Sequence, residues 1–462
     1  MDVKGRKVVV VGMGQTALAL VRLLESLGAR PFVTESSEST ALDAAQQELA
    51  RMGVPFEIGG HTSGMLEGAA MLVPSPGVSP RILFVADAVA KGIPICSELE
   101  FASRYCGSKM IAVTGTNGKT TTTELLKAMI EACGHSVLLA GNNSLPLSDA
   151  VLAETPPEYM VVEASSYQLD LTRTFRPWIG VVLNVTPDHM ARHGSMEAYS
   201  AAKAKVFANL GADGIGVVNE DDPLTLAMVG SPAWERVSFS ACGAVSHGAW
   251  LDGETIVFDR ERVAETADIP LKGGHNVENV LASIASMAAG GFDLERAREG
   301  LRGFHGVEHR IEYVAEAMGV KFYNDSKSTN LDSLRVALKS FDEPVVLIAG
   351  GEGKGSDYGK LTPLVSEHVA HLVTLGEDAP LLEAAYGDRV PTTRAADMED
   401  ALRIAAKACA AGRSILLSPG CASFDMYRNF EERGEDFKKI VRGLVEEIKM
   451  ECAARPSGIE GT

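Results

Sequence analysis

Residues 111–123 read IAVTGTNGKTTTT, and how that run is read decides the fold. Its opening residues are apolar or small, as in a buried strand. A turn bounded by Gly115 and Gly118 follows, and Lys119 with a run of threonines then opens onto the helical pattern ELLKAMIEA. Strand, glycine loop, Lys-Thr and helix, in that order, present backbone N–H groups and a helix N-terminus to a polyphosphate. The spacing departs from G-x-x-x-x-G-K-[ST], because the first-glycine position, counted back from Gly118, holds Val113. The amides of Gly115, Thr116, Asn117, Gly118, Lys119 and Thr120 can still surround the phosphates. Lys119 would neutralise charge, the Thr120 hydroxyl would ligate Mg²⁺, and Thr121 would back it up. A turn whose threonines merely cap a helix does not account for Gly-Lys-Thr after a buried strand. The loop points to ATP or GTP.

Working outward, 462 residues are too many for one ordinary core, and 46% hydrophobic with 23% charged residues is a globular composition. A formal charge of −18 argues against nucleic acid, since an acidic surface repels a phosphate backbone. The 7 cysteines form no C-x-x-C pair and no disulfide-like framework, which suits reduced thiols. The opening residues MDVKGRKVVVVGMG carry no long apolar stretch followed by a cleavage site, and no run of 18 apolar residues occurs. The expectation is a soluble, cytoplasmic, multidomain protein without membrane insertion.

The strands recur in a βαβ rhythm, which predicts an α/β fold with parallel sheets. KVVVVG, RPFVTE and AAMLVPSPG belong to a first block; IAVTG, SVLLAG, YMVVEAS and WIGVVLNV to a second, which runs through a β-rich stretch near 235–270. VKFYND, PVVLIAGG, HLVTLGE and SILLSPG belong to a third. Three domains are expected, over residues 1–104, 105–304 and 305–462: Rossmann-like, P-loop ATPase-like and again Rossmann-like.

Gly12-Met-Gly14-Gln15-Thr16-Ala17 after KVVVV, with Glu35 ending the second strand, is a dinucleotide-type fingerprint. It suits NAD or FAD, another nucleotide diphosphate, or a plain helix-packing turn. Ser75-Pro-Gly77 follows a later strand within reach of the same ligand. Glu163 ends the strand YMVVE, where a nucleotide's Mg²⁺ needs a carboxylate, and His189 in NVTPDH can be a metal ligand or a substrate contact. In SMEAYSAAKAKVFANL, Tyr199, Lys203 and Phe207 fall at i, i+4 and i+8, with Val206 broadening that face. Lys203 there either snorkels to water, the reading the pattern favours, or is held for a purpose. A desolvated, neutral amine could take up CO₂ and become a carbamate beside Glu163. In the third block Asp325 and Lys327 lie past one strand and Ser418 and Ser423 past another. Cationic Lys327 and Lys354 with several hydroxyls suit a small dicarboxylate.

Together these motifs resemble the Mur ligase family, ATP-dependent amide-forming enzymes of peptidoglycan precursor synthesis and so of cell-wall growth, division and shape. TGTNGKTTT is similar to that family's form of the phosphate loop, while YNDSKSTN and SPGCASFDMYRNFEERG resemble its D-glutamate-adding members. The resemblance implies that the first domain binds UDP-N-acetylmuramoyl-L-alanine through Gln15, Thr16, Glu35, Ser36, Ser75 and Gly77, with Asn142 and Ser165 reaching the same substrate. ATP would lie on residues 115–121 with Asn276, Arg310 and Asp325. Two Mg²⁺ ions are implied, with Thr120, Glu163, His189 and carbamylated Lys203 as ligands. Lys327, Thr329, Lys354, Ser423, Phe424 and Phe430 would hold D-glutamate. Lys119, Glu163, His189 and Lys203 are the implied catalytic set, acting through an acyl phosphate in a monomer. Ser36-Ser37 stand where the family usually carries an arginine or similar donor. The rival readings are an NAD(P)-dependent oxidoreductase built on GMGQTA and a sister amide ligase of the folate-polyglutamylating type.

Overall fold

The computed structural model describes residues 2–454, apart from 40, 41, 80, 143, 144, 231, 272, 305 and 354. The chain divides into two compact units, residues 1–269 with 274–304, and residues 270–273 with 305–462. The first two sequence blocks therefore pack as one unit that carries two sheets.

The smaller sheet is four-stranded and parallel, in the spatial order Phe56–Glu57, Arg30–Thr34, Lys7–Val11, Ala69–Pro74. Val8 to Val11 are fully buried, as expected of a strand covered on both faces. The chain leaves this strand through Gly12 at φ 101, where a Cβ would stand 2.6 Å from Ser75 Oγ. Glycine here lets the two strand-end loops touch.

The larger sheet has nine strands. Lys109–Thr114, which carries the opening motif, is paired in parallel with Tyr159–Glu163 on one side and Ile179–Val182 on the other. Val137–Gly141 lies outside the former, while Ile215–Asn219 and Glu235–Ser240 continue beyond the latter. Three strands from Gly248 to Glu265 complete that edge, the last two pairings being antiparallel. The phosphate loop thus leaves the sheet between the ends of two neighbouring strands, where open α/β sheets bind ligands.

Side chains lock these two sheets together. Fully buried Glu100 accepts backbone hydrogen bonds from Arg173, Thr174 and Phe175, and also bonds the Thr174 hydroxyl and Arg104. Burial opposes its ionisation, but these donors outweigh it and hold the carboxyl below its usual value. Arg22 grips Asp149 with two bonds, at 2.9 and 2.6 Å.

In the second unit a six-stranded sheet runs Glu312–Ala317, Val320–Asn324, Ser414–Leu417, Val345–Gly350, Val369–Leu375, Thr392–Arg394. All pairings are parallel except that of the first strand. That edge strand is missing from the sequence reading, because its half-exposed residues give no clean alternation. No helix among the described residues is long and apolar enough to cross a membrane.

Candidate active site

The phosphate loop is built by local chemistry. Gly118 adopts φ 83 and caps the helix Lys119–Ala132, and a Cβ on it would overlap Asn279 Oδ1. A Cβ on Gly115 would meet Leu183 Cβ at 2.9 Å. The variant spacing thus puts glycine where the loop bends and where the next strand and the helix Gly274–Ala289 press on it. The end of the neighbouring strand fastens the loop. Asn184 O accepts from Thr116 N at 2.9 Å, and its side chain accepts from Asn117 N at 2.9 Å. Thr116 Oγ1 takes the Thr186 amide at 3.0 Å and lies 3.1 Å from Tyr199 OH. Gly118→Ala is expected to lower the melting temperature by several degrees, from about 1–2 kcal/mol of left-handed strain plus the overlap, and to weaken ADP binding about tenfold. Thermal unfolding and ADP titration check both.

Lys119 Nζ donates to Gly115 O at 3.1 Å and Thr116 O at 2.8 Å, curling back over the loop. Thr120 Oγ1 donates to Glu163 Oε2 at 2.8 Å, and the Asn142 amide donates to Glu163 Oε1 at 3.0 Å. One expected metal-site residue, Thr120, and one expected substrate contact, Asn142, therefore converge on the buried carboxylate of another expected metal ligand, Glu163. The hydroxyl and carboxylate are hard oxygen donors of the kind Mg²⁺ takes.

The structure corrects the favoured reading of Lys203. It does not snorkel: the residue is 1% exposed, with Nζ donating to Gly115 O at 2.7 Å and lying 4.5 Å over the Tyr199 ring. Burial and the charge of Lys119 pull its pKa down to about 6, Asp188 acting in the opposite sense. The helix ends at Ala204, so Val206 and Phe207 are buried from the following turns and not from the same helix. His189 opens the short helix Met190–His193 at φ 56, half-exposed, 3.3 Å from Asp188 and packed on Tyr167.

At the smaller sheet, Glu35 closes over the glycine loop, accepting from Met13 N at 3.2 Å, Ser37 N at 2.9 Å and Ser36 Oγ at 3.2 Å. Gln15 and Thr16 begin the helix Gln15–Ser26, which has Gly14 as its N-cap. Ser75 Oγ is buried and has no hydrogen-bond partner, and Gly77 is exposed in the same turn. The Ser165 hydroxyl is engaged in a capping box with Gln168. Asn276 sits in the first turn of its helix and accepts from Asn279 at 3.0 Å.

In the second unit, buried Asp325 accepts from Ser418 Oγ at 2.7 Å and from Ile311 N at 3.2 Å. Burial pushes its pKa up to about 7 against Ser418, Arg310 and the Ile311 amide. Lys327 Nζ stands 5.7 Å over the Phe430 ring, and Thr329 N bonds Lys327 O. Ser423 is buried and Phe424 is 67% exposed. Lys354 lies outside the described residues. Arg433, which sequence reasoning missed, is buried and ties the two loops, donating to Ser326 Oγ and O, Cys421 O and Ala422 O. Glu308, His309 and Glu435 could form a metal cluster, but the Lys438 ammonium lies among Glu308, Glu312 and Glu435 and already serves as their cation.

A phosphate loop between two strand ends, with a carboxylate on its Lys-Thr hydroxyl, defines a P-loop nucleotide-binding α/β protein. Residues 6–97 match the Mur ligase MurD-like N-terminal domain, 113–287 the Mur ligase middle domain and 309–421 the Mur ligase glutamate ligase domain. The UDP-N-acetylmuramoylalanine–D-glutamate ligase of Pelotomaculum thermopropionicum is 41% identical over 449 residues, 96% of this chain and 99% of that protein. The ligase of the same name from Syntrophotalea carbinolica is 39% identical, with the same coverage. Among solved structures, Thermotoga maritima MurC superposes with a TM-score of 0.59 at 18% identity, covering 95% of this chain and 99% of its own. The MurF ligase of that organism, in complex with ADP, gives 0.55 at 17%, covering 97% and 99%. The chain belongs to the Mur ligase family.

Proposed function

We propose that this protein is the ATP-dependent ligase that joins D-glutamate to UDP-N-acetylmuramoyl-L-alanine in peptidoglycan precursor synthesis. The observation that carries the reading is the loop Gly115–Thr120 with Glu163 on its threonine, in a chain that aligns nearly end to end with ligases of that name. An amine cannot usefully attack a carboxylate at neutral pH, so the L-alanyl carboxylate first takes the γ-phosphoryl group of ATP. The acyl phosphate and ADP result. The amine of D-glutamate then attacks the acyl carbon; the amide forms, phosphate leaves and the amine's proton passes to solvent. Lys119 and the loop amides hold the phosphoryl oxygens as charge spreads over them. Thr120, Glu163, His189 and a carbamylated Lys203 would hold Mg²⁺, which supplies further neutralisation of that charge.

The carbamate reading rests on a shared acceptor. Burial disfavours a charge on Lys203, and because Lys119 donates to the same Gly115 O the two ammonium groups would also repel, so Lys203 yields its proton. A neutral Lys203 amine adds CO₂ and releases a proton, and the carbamate would then attract Lys119. Asp325 and Arg310 would assist the nucleotide, while Lys327, Thr329, Ser423, Phe424 and Phe430, with Lys354, would hold D-glutamate. ATP and a nucleotide-linked sugar are cytoplasmic reagents, which puts the reaction in the cytoplasm. All these ligands come from one chain, so a monomer suffices.

The test is phosphate release with ATP, Mg²⁺ and UDP-N-acetylmuramoyl-L-alanine against a panel of D- and L-amino acids. Release that requires the sugar substrate and D-glutamate supports the reading. Release independent of either, or hydride transfer from NAD(P)H at 340 nm in its place, rejects it.

A further inference from the structure

Two arginines lie beside the smaller sheet's loops and have no role in the chemistry above. Arg192, in the helix Met190–His193, donates Nη1 to Val78 O at 2.5 Å, and its guanidinium carbon stands 4.9 Å over the Tyr167 ring. Arg81 approaches the same segment, with Nη2 3.4 Å from the point a Cβ on Gly194 would occupy. Among the described residues neither guanidinium is in an ion pair. Asp170, the carboxylate that acts on Arg192, is itself paired with Lys205 at 3.6 Å. Burial, together with the charge of Arg81, lowers the pKa of Arg192.

Two guanidinium groups at one segment, Arg192 within it and Arg81 against Gly194, neither ion-paired among the described residues, in a chain of net charge −18, are poised for an anion. Their surroundings say which. Val78 N bonds Ser75 O at 2.9 Å, and the unpartnered Ser75 Oγ is the atom that a Cβ on Gly12 would strike. A continuous run of contacts therefore joins the arginine pair to the glycine loop.

We propose that Arg81 and Arg192 form a clamp on the diphosphate of the nucleotide-sugar substrate, spanning the smaller sheet's Ser75–Val78 turn and the His189 segment. The proposal rests on the ligase reading for the identity of its ligand. Guanidinium forks match phosphate oxygens, and a diphosphate offers enough of them for two.

Calorimetric titration of the full chain tests it, comparing wild type with Arg81→Ala and Arg192→Gln and using UDP-N-acetylmuramoyl-L-alanine, UDP-N-acetylglucosamine, UDP, UMP and ADP. Each substitution should weaken the three UDP ligands by about tenfold or more and flatten their salt dependence, while UMP and ADP change less than about twofold. Arg81 is exposed, so its variant should fold as the parent does. Equal losses for UMP and UDP, or unchanged affinities, overturn the clamp. Loss confined to the L-alanyl substrate, with UDP-N-acetylglucosamine unaffected, also overturns it by assigning the pair to the carboxylate. A wild type that binds UDP ligands arginine-dependently yet releases no phosphate breaks the ligase reading and leaves the clamp standing.

Discussion

Replacing Lys119 with alanine is expected to lower ATP-dependent phosphate release by about 10³-fold or more, because it removes the ammonium that curls over the phosphate loop. The geometry explains why no neighbour substitutes. Lys203 is the other amine on Gly115 O, but its burial and its pKa of about 6 leave it uncharged at neutral pH. Thr120 and Asn142 are turned to Glu163. Backbone amides remain, so ADP should still bind, weakened about tenfold, and that residual binding separates a catalytic loss from a collapsed loop. The variant also removes the charge that helps depress Lys203, so the lysine's pKa should rise. Turnover within about tenfold of wild type would show that the loop does not handle the transferred phosphoryl group.

What could be read in the sequence depended on how far each property reaches along the chain. The strand-loop-helix at 111–132 is local: apolar residues, two glycines and Lys-Thr appear in the order in which they act. The same holds for Gly12, Glu35 and Glu163, each at the end of a strand with clear β-branched composition. The pattern around Lys203 favours a snorkelling lysine because its true environment is not local. The Gly115 carbonyl that holds it is 88 residues away, and helical spacing says which face a lysine lies on without saying what covers that face. Asn184 opens the run NVTPDH, and nothing local marks its side chain as the group that fastens the loop through Asn117. Arg433 and Glu100 were invisible for a related reason. Each satisfies backbone groups of distant segments, and nothing in a linear pattern marks a side chain that caps someone else's amides. Arg192 likewise gains its meaning from Val78, 114 residues earlier.

Lys203→Ala is expected to lower turnover by about 10²–10³-fold and to recover part of it with millimolar acetate or propionate. Alanine removes both the carbamate and the long side chain, leaving a buried space beside Gly115 that a small carboxylate can enter to supply the missing negative oxygens. A merely structural lysine predicts loss without rescue. A fully active variant in the absence of additive excludes the carbamate role. Depleting CO₂ should slow the wild type and leave the acetate-rescued variant unchanged. The pH dependence follows from the pKa of about 6 against an ordinary 10.5. Between those values the unfolded chain binds a proton that the folded chain does not, so stability contributed at this site rises with pH across the window, and below about 6 the full penalty of burying the charge is present. Lys203→Met removes the titrating group. In CO₂-depleted buffer its melting temperature should therefore exceed that of the wild type most at pH 6, with the gap narrowing towards pH 9. A gap that stays constant or widens would mean that the amine is charged in the folded protein, and a charged amine cannot take up CO₂.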